Sequence, residues 1–268
     1  MPVDLPIQAE KPLTRETVLS VNQRRVQQPL NQQNISSINQ SKSNSSQQRQ
    51  RSTERPGAKK NAPPRNQNPT SPVQAGPHHQ KMSVPTLRNP VRKGQKVPLE
   101  SAKRLTRVKA CMGWNVQNPA CEVDVSAFLL QNEKVPGDDW FVFYGQDRSP
   151  DNSVQFHAEA QPDREMITLD FSRINPGVDK IVFILTINEA LEKRLNFSML
   201  ADTYIRLLDA NTNQELLSFQ IDEYYANVTS MMIGEVYRHN GAWKFNAIGN
   251  GVSKDLAGLC QMYGVQVV

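Results

Sequence analysis

Adjacent carboxylates at Asp138 and Asp139, then Asp147, Ser149 and Asp151 at alternate positions, form a notable concentration of hard oxygen ligands in this chain. Like charges this close repel, and a divalent cation taking about six to eight oxygen ligands relieves the repulsion, with calcium the natural candidate. The Asp147, Ser149, Asp151 spacing imitates the start of an EF-hand loop. Asn152, however, stands where that loop needs glycine, and Ala158 where it needs a bidentate glutamate. An EF-hand is therefore excluded. Asp124, Asp163, Glu165 and Asp170 lie on or beside neighbouring predicted strands, which could gather several carboxylates at one end of the fold. Spacing alone leaves two readings open, a metal site and a solvated acidic loop.

Other chemistry is sparse. Of the four histidines, His78 and His79 fall in the polar N-terminal part and His239 sits beside a predicted turn. His157 alone is near the acidic loops, as a ligand, a base or a solvent-facing side chain. No nucleophile elbow, zincin helix, phosphate-binding P-loop or dinucleotide fingerprint occurs, so catalysis has no motif to rest on. Cys111, Cys121 and Cys260 are odd in number and lack C-x-x-C spacing, which suits buried, reduced thiols better than disulfides or zinc.

The elements that must position these residues are mostly strands. In Glu122–Leu130, Val123, Val125, Ala127 and Leu129 share one face and Asp124, Ser126 and Phe128 the other. Similar patterns predict strands over Asp139–Tyr144, Met166–Phe171, Lys180–Ile187, Thr203–Asp209, Glu215–Ile221, Ser230–His239 and Ala242–Gly249. Asn240-Gly241 between the last two is the signature of a tight hairpin, with Tyr237, Trp243 and Phe245 expected to pack across it. A polar loop within Leu208–Glu215 predicts a second hairpin. Leu256, Leu259, Cys260 and Tyr263 recur at helical spacing and predict one amphipathic C-terminal helix. Seven or eight strands with little helix point to an all-β fold, a β-sandwich, over residues 86–268.

Residues 1–85 are of another kind. They hold no aromatic residue and no cysteine, and are dominated by Gln, Asn, Ser, Pro, Arg and Lys. Such a stretch buries too little apolar surface to offset an ordering entropy of roughly 1–2 kcal/mol per residue, so a disordered leader is expected. The leader carries 12 Lys and Arg against 4 Asp and Glu, and the remainder 19 against 22. The basic balance of the whole chain, +5, thus belongs to the leader, which suits contact with anionic lipid, nucleic acid or an acidic surface. No apolar run is long enough to span a membrane, and Met1-Pro2-Val3-Asp4 does not open a secretory signal, so a cytosolic protein is expected.

Residues 86–268 resemble the TerD family of tellurium-resistance and general stress proteins. The resemblance runs through Lys93-Gly94-Gln95-Lys96-Val97-Pro98-Leu99, the stretch Leu105 to Asn115 and Asp124-Val125-Ser126-Ala127-Phe128-Leu129-Leu130. It continues in Asp138-Asp139-Trp140-Phe141-Val142-Phe143-Tyr144, Ser149-Pro150-Asp151-Asn152-Ser153-Val154 and Glu235-Val236-Tyr237-Arg238-His239-Asn240-Gly241. It implies a calcium-binding, non-enzymatic β-sandwich acting in the cytosol with other tellurium-resistance proteins at the inner face of the membrane. Asp138, Asp139, Asp151, Asp163 and Glu165 are then the first candidate ligands, followed by Asp124 and Asp147. The alternative is a metal-independent scaffold, tethered by its basic leader and able to pair edge to edge as a homo-oligomer. The chain departs from the family pattern in the short loop His157–Glu165, which lacks the family's glycines and half its carboxylates and adds Arg164. Asn115 also replaces an aspartate.

Overall fold

Apolar side chains recur at alternate positions in strands such as Glu165–Asp170 and need a second layer to cover them, while central strands such as Lys180–Ile187 are apolar on both faces. The computed structural model describes residues 81–99, 105–158 and 160–266. Apart from its last five positions, the expected disordered leader lies outside the described residues. The strands are β1 (Lys96–Pro98), β2 (Arg107–Val116), β3 (Val123–Leu130), β4 (Phe141–Val142), β5 (Val154–Ala158) and β6 (Glu165–Asp170). They continue with β7 (Lys180–Ile187), β8 (Leu200–Asp209), β9 (Glu215–Gln220), β10 (Ser230–His239) and β11 (Ala242–Val252). Two helices are present among the described residues, α1 (Ala190–Lys193) and α2 (Leu256–Tyr263).

The strands form two antiparallel sheets, one ordered β1-β11-β10-β7-β3-β4 and the other β5-β6-β2-β8-β9. Val108, Ala110, Met112 and Trp114 of β2 face Val123, Val125, Ala127 and Leu129 of β3 across the interior, joined by Ile167, Leu169, Phe183, Leu185, Ile205, Leu207 and Phe245. This is a β-sandwich with one short C-terminal helix.

The opposite face of the six-stranded sheet is also apolar in part, because Phe128 and Leu130 join Phe141, Phe143, Val182 and Ile184 there. Helix α2 covers that patch with Leu259 and Cys260, and Phe128 stacks against Phe141 at 4.3 Å and Tyr263 at 4.6 Å. The helix is punctuated at both ends. Asp255 accepts from the Gly258 N–H at its start, and Gly264, with φ +87°, ends it in the left-handed region.

The β10–β11 hairpin has the expected two-residue turn, with Asn240 at φ 52° and Gly241 at φ 80° between the paired His239 and Ala242. Trp243 and Phe245 enter the core, but Tyr237 pairs with Lys244 and takes the other face. The strand expected over Asp139–Tyr144 is corrected. Asp138–Trp140 is a turn of 3-10 helix, closed by the Trp140 N–H on the Gly137 carbonyl, and only Phe141–Val142 pair with β3. Three strands lie beyond those expected from alternation, β1 at the edge beside β11, and β2 and β5 on either side of β6.

The folded region starts before β1. Asn115 accepts from the Met82 N–H at 2.8 Å and donates to its carbonyl at 3.1 Å. The buried Glu215 carboxylate takes the Arg88 and Asn89 N–H groups, both at 2.8 Å, which lays this segment along β9.

Candidate functional site

The carboxylates singled out by the sequence go to separate places, and the best-defined polar site is built around one of them. Asp163, in the turn before β6, is 5% exposed. Its Oδ1 accepts from the Tyr204 hydroxyl at 2.7 Å and Arg206 Nε at 2.9 Å, and its Oδ2 from Arg206 Nη2 at 2.8 Å. Strand β8 supplies both partners on one face, since Tyr204 and Arg206 are two residues apart, while Ile205 and Leu207 enter the core. Burial opposes the Arg206 charge, but the Asp163 hydrogen bonds and charge outweigh it and hold the guanidinium above its usual range. Burial first, and the Asp163 charge second, push the Tyr204 hydroxyl well above its ordinary range and the neighbouring Cys111 thiol up to about 12.

Gly113 makes room for this arrangement. A Cβ there would lie 2.5 Å from the Tyr204 ring, so the residue opposite Tyr204 on β2 has to be small.

Glu165 is fully buried between the sheets, and its Oε2 accepts the Val125 N–H of β3 at 2.8 Å. Strand β4 pairs only with Ala127 and Phe128, so the carboxylate serves the stretch of β3 that β4 does not reach. Arg164, 8% exposed, donates its backbone N–H to the Met112 carbonyl at 2.9 Å and Nε to the Trp114 carbonyl at 3.1 Å. Asn115 donates to Asp202 Oδ2 at 2.9 Å. The short loop that the sequence marked as a departure is thus fastened to β2, β3 and β8 by its own residues.

The other candidates serve turns and ends. Asp151 accepts from Ser149 Oγ at 2.6 Å, Ser153 N at 3.0 Å, Ser153 Oγ at 2.7 Å and Asn175 N at 2.8 Å. Asp138 accepts from Gln266 N at 2.8 Å, below α2. Asp139 follows it in the 3-10 turn, with its carbonyl accepting from Gln146. Asp147 is exposed and 3.6 Å from Arg148 Nε. Asp124 pairs with Thr186 of β7, on the face of β3 opposite Val125. Asp170 accepts from Ser172. His157 meets Thr168 Oγ1 at 3.1 Å, and burial lowers its pKa.

A calcium site needs converging oxygens with lone pairs to spare. Among the described residues, no three Asp, Glu, His or Cys side chains come together in a way that could hold a metal ion. Asp163 and Asp151 already spend both oxygens on protein donors, and Glu165 is enclosed between the sheets. These residues do not fit a calcium cage. What the sequence reading missed is the cationic half of the site, Arg206 and its neighbour Tyr204. The available signal was a lone arginine inside the apolar run Tyr204–Leu208.

The TerD domain family model matches residues 88–263. The chain belongs to the TerD family. A tellurium resistance protein TerD from Alcaligenes sp. is 36% identical over 183 residues, covering 65% of this chain and 95% of that protein. General stress protein 16U of Bacillus subtilis is 33% identical over 186 residues, covering 65% of this chain and 96% of its own length. The crystal structure of SAV2460, a protein of unknown function, shares the fold at a TM-score of 0.50 and 19% identity, covering 61% of this chain and 99% of that one. The TerD domain therefore accounts for the sandwich and α2. The leader, residues 1–85, lies outside the family match.

Two predictions follow from the geometry of this TerD domain. Asp163→Asn leaves the Arg206 guanidinium, 13% exposed, without its counter-charge. It should cost about 3–5 kcal/mol of unfolding free energy in urea. Adding Arg206→Gln should recover part of that loss, and a single variant as stable as wild type would show that the pair carries no weight. For Asp151, burial opposes ionisation, but hydrogen bonds from Ser149, Ser153 and Asn175 outweigh it and hold the pKa below the ordinary 3.8. A depressed folded pKa contributes stability that is present above the unfolded value and lost as pH falls through the folded one. Wild type should therefore lose more stability than Asp151→Asn on acidification below about pH 4, and parallel curves would remove Asp151 from the acid response.

Proposed function

We propose that this chain acts in tellurium resistance or the wider stress response of its family as a non-catalytic binding module whose fold needs no structural metal. The observation that carries the reading is the bidentate Asp163–Arg206 pair, which supplies from within the chain the positive charge expected of calcium. The commitment of Asp151 and Glu165 to protein donors supports it as well. Nucleophilic cysteine chemistry is disfavoured by burial of the thiols. Cys111 and Cys260 are buried with pKa values pushed up to about 12, and burial also raises that of Cys121, so all three stay protonated at neutral pH.

In this reading the partners are other tellurium-resistance proteins, met at the inner face of a membrane. The basic leader, with 12 Lys and Arg against 4 Asp and Glu, is the tether to an anionic surface, lipid or nucleic acid. No helix among the described residues is long and apolar enough to cross a membrane.

The test has two arms. Calcium titrated into the full chain, with magnesium as control, should leave the melting temperature unchanged, while disruption of the gene should lower survival on tellurite. A saturable calcium-specific rise would overturn the metal-independent fold, and unchanged survival under tellurite and other stresses would overturn the functional assignment. For the tether, removal of residues 1–80 should abolish salt-sensitive sedimentation with anionic vesicles or nucleic acid. Equal sedimentation of the shortened chain would show that the leader is not the attachment.

A further inference from the structure

The solvent face of the five-stranded sheet holds a polar cleft of about 370 Å³ that the family resemblance does not mention. Arg107 at the start of β2, Arg148 before β5 and Arg173 after β6 line it, with Gln155, Thr168 and a single carboxylate, Asp170. The placement follows from register. Arg107 pairs with Asp170 and Gln155 with Thr168, so all four side chains stand on the outward face of three adjacent strands. The turns on either side then bring Arg148 and Arg173 to the same hollow.

Three guanidiniums line the cleft with Asp170 as its one lining carboxylate, and Asp147 lies beside Arg148, in a folded region with 19 Lys and Arg against 22 Asp and Glu. Their donors are largely unspent. Arg107 Nε lies 3.6 Å from Asp170 and Arg148 Nε 3.6 Å from Asp147, both beyond a good hydrogen bond, and both arginines are more than half exposed. Asp170 meanwhile accepts from the Ser172 hydroxyl and N–H. Arg173 is exposed, and its backbone N–H on the Asp170 carbonyl at 3.1 Å sets it beside the hollow. Planar guanidinium forks are suited to tetrahedral oxyanions, which they can bind through paired N–H donors.

We propose that this cleft binds a small, multiply charged phosphate-type anion. One phosphate would fill only part of the volume, whereas linked phosphoryl groups can engage several guanidiniums together. The lining contains no aromatic side chain on which a base could stack, so recognition is of the phosphates and not of an attached nucleoside. This inference does not rest on the proposed function and would survive its failure.

Calorimetric titration of pyrophosphate into the full chain tests it, with inorganic phosphate and adenosine diphosphate as the other arms. Pyrophosphate should bind saturably and more tightly than phosphate, and adenosine diphosphate no more than a few-fold differently from pyrophosphate. Arg173→Ala and Arg148→Ala should each weaken pyrophosphate at least about tenfold, as expected for loss of a charge-assisted contact. Both residues are exposed, so unchanged melting curves serve as the fold control. Arg24→Ala with Arg25→Ala, in the leader, should have no effect. Wild-type affinity in both cleft variants, or a loss confined to the leader variant, would place anion binding outside the cleft. Adenosine diphosphate binding more than tenfold tighter than pyrophosphate would overturn the phosphate-only recognition.

Discussion

An ionised carboxylate taken out of water has to be met by donors at once, because an unpaired buried charge costs more than a domain of this size can spare. The turn before β6 and the first residue of that strand put two carboxyl groups out of water within three residues, Asp163 and Glu165, and much of the local architecture answers them. Arg206 and Tyr204 converge on Asp163 from β8, which in turn requires Gly113 on β2 to leave space for the Tyr204 ring. Glu165 instead meets the backbone of the opposite sheet at Val125, so one carboxylate helps hold the two layers in register. The apolar core would tolerate many sheet offsets. These directional contacts favour one.

Much of the fold was legible because half-buried strands alternate. The faces of β3 read correctly from Val123, Val125, Ala127 and Leu129, and Asn240-Gly241 fixed the β10–β11 turn through its need for positive φ. Strand β2 was illegible for a physical reason. From Ala110 to Trp114 both of its faces are buried, one in the core and one under Tyr204, so no polar residue marks the alternation. The segment Asp138–Trp140 misled in the other direction. Its aromatic neighbours read as strand, yet the Gly137 carbonyl captures the Trp140 N–H and winds a tight turn first.

The candidate site was legible in its residue types and illegible in its pairings. Asp163 and Glu165 are recognisable as acids worth explaining, but their partners are 43 and 40 residues away in the chain, on strands whose neighbours only the topology reveals. The i, i+2 spacing of Asp163 and Glu165 also invites the idea of a shared ligand set. Asp163 instead belongs to the preceding turn and folds over the sheet, while Glu165 begins β6 and points inward. One residue at the strand boundary decides which side of the sheet each charge occupies.

Arginine appears in this domain in two opposite conditions, and the contrast bears on how a binding module can be regulated. Arg206 is mostly enclosed, with Nε and Nη2 on Asp163, and its charge is permanent at any physiological pH. A bound ion would leave when its concentration dropped, loosening the loop, whereas a guanidinium attached to β8 cannot leave. The loop is thereby fastened to β8 from within the chain. Arg107, Arg148 and Arg173 are instead exposed, with their donors hardly used, on a sheet face whose shape is fixed by the strands beneath. On that face an anion can come and go without the fold depending on it.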